Sequence, residues 1–179
     1  MLKRMLEKYG FGHVENIVNE WNTTYGVHSR STPDAASHNF AVMLAMQKES
    51  LDQMEFYDAR LGPSAYGGMF NPDTWRPYPT YYAFMSFNQA FKLHNEIFTE
   101  SDDGNVYVCG ATNGKKSILL LSNRNENATE VEFDLIGVTA DDVEILMINE
   151  EYSYTPTGKQ ICNGKLMLPA RSCVEIRFY

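Results

Sequence analysis

The chain has 179 residues, of which 44% are hydrophobic and 13% aromatic, which is enough for a packed core and argues against wholesale disorder. Fifteen basic and twenty-three acidic residues give a net charge of −8 without a Lys/Arg cluster. We therefore expect no nucleic-acid partner and no binding to anionic membranes, and a neutral ligand fits better.

The cysteines and histidines give no sign of a metal site or a disulfide framework. Cys109, Cys162 and Cys173 are odd in number, widely spaced and without a CxxC pair, which favours ordinary buried thiols. The four histidines lack metal-ligand spacing, so we predict neither a metal nor a cofactor. Residues 1–8 carry charges where a signal peptide has its apolar run, and no segment approaches the about 20 apolar residues of a membrane span. The sequence leaves the localisation open.

The N-terminal part predicts a helix followed by a strand with polar residues at its end. Residues 2–8 are typical of the last two turns of a helix, closed by Gly10 or Gly12. Residues 14–22 predict a buried strand whose carboxyl end carries Glu20 between an amide and an indole. In α/β sheets ligands bind at that end of the strands, so Glu20 is the leading candidate for chemistry.

Two further helices and a second strand follow. Thr32 as N-cap and Pro33 at the first helical position predict the start of a helix, which continues with apolar residues at helical spacing. Residues 54–58 predict a short strand, and residues 61–78 form a long loop rich in Gly, Pro and aromatics, of a length that is usually functional or disordered. Pro79 opens the next helix.

This order of elements predicts an α+β chain in two parts. The first hundred residues alternate helix and strand, as in parallel βαβ units, but about two such units cannot close a barrel. The acidic run at 100–104 marks a boundary, so we predict an incomplete β/α-barrel segment at 1–100 and a second domain at 101–179. In the second part, short alternating runs separated by Asn-Gly turns predict an antiparallel β-sandwich.

Several segments together resemble a known enzyme family. Residues 19–25 (NEWNTTY) resemble the end of the seventh strand in retaining glycoside hydrolases with a (β/α)8 barrel, of the β-xylosidase and α-L-iduronidase type. Residues 56–60, 67–72 and 79–84 resemble the eighth strand, its loop and the eighth helix, and 105–179 resemble the β-sandwich that follows the barrel. The resemblance implies that Glu20 is the catalytic nucleophile and that the ligand is a carbohydrate.

The chain departs from that family in length. Such a barrel needs about 250 residues, and these residues supply only its last quarter. The resemblance places the general acid of the family, usually in an Asn-Glu pair, at the end of the fourth strand, which has no counterpart here. Retaining hydrolysis needs two carboxyl groups about 5–5.5 Å apart. We therefore expect the chain to be inactive by itself, and whether it is an enzyme stays open.

Six further residues are candidates for contacts with a sugar. Trp21 and Asn22 flank the end of the first strand, where an indole stacks on a pyranose and an amide bonds hydroxyls, although core packing of Trp21 is equally open. Tyr57 and Asp58 end the second strand, and Asp58 with Arg60 is alternatively a salt bridge or turn cap. Two aromatic candidates of the long loop, Tyr66 and Trp75, form together with Phe70 either a sugar platform or internal packing of that loop.

Two hypotheses about the whole chain compete. In the first, it is the C-terminal portion of a retaining glycosidase whose acid comes from a missing N-terminal barrel segment or from another chain. In the second, it is a non-catalytic or carbohydrate-binding β-sandwich module, a truncated domain that forms homo-oligomers to cover apolar helix faces.

Overall fold

The computed structural model describes residues 2–23, 31–49, 51–59, 68–138 and 142–179. The N-terminal part contains α1 (Leu2–Lys8), β1 (Ile17–Trp21), α2 (Pro33–Met46), β2 (Gln53–Phe56) and α3 (Pro79–Phe91). The remaining strands are β3 (Asn95–Ile97), β4 (Val106–Thr112), β5 (Ser117–Asn123), β6 (Thr129–Glu132), β7 (Val143–Ile148), β8 (Ser153–Pro156), β9 (Lys165–Leu168) and β10 (Ser172–Phe178).

Within the described residues the strands form three sheets, and the predicted fold class is confirmed. β1 and β2 pair in parallel, six strands form an antiparallel sheet in the order β3-β4-β5-β10-β7-β8, and β6 pairs with β9. The chain is thus a short parallel βαβα segment followed by an antiparallel sandwich. The domain boundary at 100/101 stays a prediction, and the six-stranded sheet already takes its first strand from Asn95–Ile97.

Two apolar clusters lie on the two faces of the six-stranded sheet. On one face, α2 and α3 bury residues such as Phe40 and Leu44 against Leu120 of β5. On the other face, Leu119 and neighbouring residues pack against the β6–β9 pair. The central strand β5 is therefore buried along its whole length, which explains its continuous apolar run. The helices form the layer between the two parallel strands and the large sheet.

A helix N-cap and a hairpin turn that the sequence predicts are both present in the structure. The hydroxyl of Thr32 accepts a hydrogen bond from the backbone N–H of Ala35 at 3.3 Å, with Pro33 at the first helical position, which is the predicted N-cap. Asn163 and Gly164 both have positive φ and connect Cys162 to Lys165 by two backbone hydrogen bonds of 2.9 Å. That arrangement is the tight hairpin turn predicted by an Asn-Gly pair.

The first strand is not buried as predicted. Val18 is half-buried, but Val14 is exposed and Ile17 has 49% of its surface exposed. The reason is that among the described residues β1 has only β2 as a partner strand, and the face of this pair that points away from the helices is uncovered. None of the described helices has the length and apolar character that crossing a bilayer requires.

Candidate active site

The parallel pairing of β1 and β2 brings the predicted site residues to one edge. β1 ends at Trp21 and β2 at Phe56, and these two residues are partners in the register. The backbone N–H of Tyr57 donates to the carbonyl of Trp21 at 3.0 Å. Because carboxyl ends of parallel strands meet at one edge, the segment of Glu20 lies beside that of Asp58.

A bulge in β1 sets the direction of Glu20. The register pairs Val18 with Met54 and Trp21 with Phe56, so three steps along β1 match two steps along β2. Val18 and Trp21 are both half-buried, Trp21 against Phe84 of α3, whereas Asn19 and Glu20 between them are exposed. Bulges commonly occur at barrel rims and beside active sites, where they redirect a side chain. The Glu20 carboxylate therefore lies at the open edge.

Trp21 packs as a core residue. Its ring meets Phe56 edge-on at 5.1 Å between centroids and stacks on Phe84 of α3 at 6.0 Å. Phe56 and Phe84 also contact each other at 5.0 Å, which closes an aromatic trio under the strand ends. The buried indole Nε1 has no hydrogen-bond partner among the described residues. This packing favours the core alternative for Trp21, and its contact with a sugar stays a prediction.

Asn22 ties the two strand ends together. Its amide Nδ2 donates to the carbonyl of Tyr57 at 2.6 Å, and its Oδ1 accepts from the backbone N–H of Thr23, also at 2.6 Å. Both ends of the amide are thus engaged in fixing the edge. Asp58 is buried, Tyr57 is exposed, and the peptide bond between them is cis. Their roles in substrate binding remain predictions.

The loop before α3 presents Trp75 to solvent. The Oδ1 of Asn71 accepts hydrogen bonds from the backbone N–H groups of Asp73 and Thr74 at 3.0 and 2.8 Å, and the backbone N–H of Asn71 donates to Arg76 at 2.8 Å. Trp75 sits at the tip of this turn with φ of 60° and 67% of its surface exposed. Such exposure does not fit packing of Trp75 inside the loop, and its contact with a sugar stays a prediction.

Some predicted positions lie outside the described residues, and others were missed. Tyr66 and Arg60 belong to the undescribed part of the loop. The sequence analysis did not single out Glu175, which is buried in the sheet at 1% exposure and accepts hydrogen bonds from Ser86 and Tyr154. Its signal was available, because Glu175 stands between the apolar residues Val174 and Ile176 and buried carboxylates need partners.

The described residues contain no cluster of three or more His, Cys, Asp or Glu that could hold a metal ion. The Glu20 carboxylate is exposed at this edge, and the exposed Trp75 lies on the loop that follows the neighbouring strand.

No protein-family model and no curated protein matches the sequence. Solved structures do match its fold. A glycoside hydrolase family 30 subfamily 8 xylanase from Clostridium acetobutylicum superposes with a TM-score of 0.71 at 16% identity, covering 97% of this chain and 44% of that one. A family 44 xyloglucanase from Paenibacillus polymyxa gives 0.69 at 16% identity, with coverages of 99% and 34%.

A family 39 β-xylosidase from Caulobacter crescentus gives a TM-score of 0.66 at 14% identity, covering 99% of this chain and 47% of that one. The chain thus spans less than half the length of these enzymes. At such identities the likeness concerns the fold. The predicted resemblance is confirmed at that level: the chain has the fold of the C-terminal part of barrel-and-sandwich glycoside hydrolases.

Proposed function

We propose that this chain is the C-terminal portion of a retaining glycoside hydrolase in which Glu20 is the nucleophile. The observation that carries the proposal is the bulge that leaves the Glu20 carboxylate exposed at the carboxyl edge of the two parallel strands. The likeness in fold to xylanases and a xylosidase supports a carbohydrate as the ligand. A pentoside is accordingly the first substrate class to test.

The chemistry of the nucleophile requires no metal or cofactor. A Glu20 oxygen attacks the anomeric carbon, a glycosyl ester forms, and the bond to the leaving oxygen breaks with its electron pair on that oxygen. An ordinary leaving group must then receive a proton from a second carboxyl group, and water must later release the sugar with the help of the same group. Hydrolysis of ordinary glycosides therefore needs that second residue.

The open edges of the parallel pair indicate where the second residue would come from. A closed barrel has eight strands and the parallel pair supplies two, which leaves six. The apolar residues that precede and begin β1 are exposed, as expected for a surface that further barrel strands or a second copy would cover: Met5, Tyr9, Phe11, Val14 and Ile17. We propose that a barrel segment on this surface supplies the acid.

Leaving groups of different basicity test the nucleophile separately from the acid. 2,4-Dinitrophenolate departs without a proton, so a 2,4-dinitrophenyl β-xyloside should transfer its pentosyl group to Glu20 in this chain alone. The adduct should accumulate because no base helps water to release it. The corresponding phenyl xyloside, whose leaving group needs the proton, should not react.

Mass spectrometry of the intact chain detects the pentosyl adduct, and mass spectrometry of its peptides locates it. Glu20→Gln should abolish the adduct, whereas Glu15→Gln, an exposed carboxylate just before the same strand, should retain it. A pentosyl group that persists in Glu20→Gln would exclude Glu20 as the nucleophile. Absence of any adduct in the unaltered chain would contradict a competent nucleophile in these residues.

The exposed apolar surface also favours a second candidate function, a non-catalytic module that self-associates. In that case the chain should form oligomers in solution and carry no pentosyl group after exposure to the dinitrophenyl xyloside. Sedimentation velocity decides the first point, since a compact monomer at micromolar concentration would rule out self-association as the way in which Met5, Phe11 and Ile17 are covered.

A further inference from the structure

We propose that the sandwich positions the Trp75 loop (residues 68–78) through a continuous aromatic ladder. The ladder consists of Phe70, Tyr81, Tyr82 and Tyr154, which belong in turn to the loop, to the first turns of α3 and to the edge strand β8. It connects the Trp75 loop, which follows the second of the two parallel strands along the chain, to the C-terminal half of the chain.

Successive rings of the ladder are in contact. The centroids of Phe70 and Tyr81 are 5.1 Å apart, those of Tyr81 and Tyr82 are 5.5 Å apart, and those of Tyr82 and Tyr154 are 6.0 Å apart with planes at 17°. All three separations lie within the range of about 4.5–7 Å in which aromatic pairs attract. Each ring is half-buried, so displacement of one ring opens space beside the next.

The sandwich end of the ladder is fixed by a buried carboxylate. Oε2 of Glu175 accepts a hydrogen bond from the hydroxyl of Tyr154 at 2.8 Å and another from the hydroxyl of Ser86 at 2.5 Å. Arg177 donates to the Tyr154 hydroxyl at 3.0 Å and to the other oxygen of Glu175 at 2.6 Å. Tyr82 and Ser86 are one helical turn apart on α3, so the sheet holds one face of this helix at two points.

The loop end of the ladder is the base of the turn that presents Trp75. Phe70 forms a β-bridge with Pro77, and the backbone N–H of Tyr78 donates to the carbonyl of Met69 at 2.8 Å. Phe70 therefore lies where the two ends of the loop are paired, and its ring contacts α3 there. Fixing that ring fixes the base, and the hydrogen-bonded turn transmits its orientation to Trp75 at the tip.

At each end of the connection between β8 and the Trp75 loop, one aromatic residue has a backbone φ in the left-handed region. Tyr154 has φ of 59° and Trp75 has φ of 60°. Residues with a Cβ atom disfavour this region, so the surroundings must hold them there. At Tyr154 the surroundings are the Tyr82 ring and the Glu175–Arg177 pair. The orientation of Trp75 accordingly depends on residues about eighty to a hundred positions further along the chain.

The two tryptophans of the chain provide the test. Incorporation of 5-fluorotryptophan gives one ¹⁹F resonance for Trp75 and one for Trp21, each assigned by its Trp→Phe variant. Tyr154→Leu should move or split the Trp75 resonance by more than its linewidth. The Trp21 resonance, which reports on the aromatic trio with Phe56 and Phe84, should stay in place.

Matched variants separate positioning from general loosening. Tyr154→Phe retains the ring and should restore most of the wild-type Trp75 resonance. Tyr152→Leu removes a ring of the same size that packs against the other core cluster, and it should leave Trp75 unchanged. If Tyr154→Leu does not fold, Tyr81→Leu breaks the middle of the ladder without touching Glu175 and should have the same effect.

Two results would overturn the proposal: a folded Tyr81→Leu or Tyr154→Leu chain with an unchanged Trp75 resonance, or an equal change in Tyr152→Leu. The coupling does not depend on catalysis, whereas its consequence for sugar binding rests on the proposed function. A chain that shows the resonance changes but takes no pentosyl group on Glu20 would retain the ladder and lose the glycosidase assignment.

Discussion

Glu175 carries the largest predicted effect on stability. Its side chain is 1% exposed, and its two oxygens accept hydrogen bonds from Ser86, Tyr154 and Arg177. Glu175→Ala leaves all three donors without this acceptor inside the protein. Removal of one member of a buried ion pair costs about 3–5 kcal/mol. Because Arg177 is 26% exposed and also pairs with Glu144 at 2.8 Å, we expect the lower end, about 3 kcal/mol.

Two control variants show which part of this loss of stability is due to the charge and the burial of Glu175. Glu175→Gln keeps the shape and one acceptor oxygen but loses the charge, so it should cost about 1–2 kcal/mol, the difference between charged and neutral hydrogen bonds. Glu144→Ala removes the partly exposed partner of Arg177 and should cost less than about 1 kcal/mol. With a typical domain stability of about 5–15 kcal/mol, all three variants should remain folded.

Urea unfolding at equilibrium measures the free energy of unfolding for each variant. The slope against urea concentration should be unchanged, since the surface exposed on unfolding stays the same. A Glu175→Ala chain within about 0.5 kcal/mol of wild type, against the about 3 kcal/mol expected of a broken buried pair, would refute the reasoning. A Gln variant as costly as the Ala variant would show that charge, rather than hydrogen-bond capacity, dominates.

Two further predictions concern titratable groups. Burial, assisted by the charge of Arg124, lowers the pKa of His38, so the unfolded chain binds this proton more readily than the folded one. Stability should therefore fall as pH drops below about 6.5, and the decline measured by urea unfolding should be shallower in His38→Gln; equal declines would exclude His38 as the cause. Burial also raises the pKa of Cys109 to about 11 and raises the pKa of Cys173, whereas Cys162 is exposed. A thiol reagent should modify one cysteine per native chain and all three after denaturation, and rapid reaction of two would contradict this burial.

The sequence predicted those elements whose signals are local. Thr32 and Pro33 marked the start of α2 because a cap and a fixed φ act within one turn. The four inner strands of the large sheet followed from their alternating or continuous apolar runs. The edge strands β3 and β8 were missed, because Asn95–Ile97 and Ser153–Pro156 are short and largely polar. Pairing with β4 and β7, rather than composition, makes them strands.

The candidate site was predictable in position but not in geometry. The order of residues placed Glu20 at the end of a strand beside Asn22, and the parallel pairing brought Tyr57 and Asp58 to that edge. The bulge that exposes Glu20 depends on the register of β1 with β2. No local pattern encodes that register. The contacts of Glu175 likewise join residues 89 positions apart, so only its burial was open to prediction.

The β-sandwich follows the barrel segment in the chain and also shares a core with the helices of that segment. α2 and α3 lie between the parallel strands and the six-stranded sheet, and residues such as Phe40, Leu44 and Ala83 are fully buried in the cluster they share with that sheet. These helices therefore have a core that does not depend on further barrel strands. They can hold β1 and β2 in parallel register from behind, while the opposite face stays open. The edge that carries Glu20 is consequently supported by helices whose core is shared with the C-terminal sheet. Under the proposed function, barrel strands on the open face would contribute the proton donor rather than the framework.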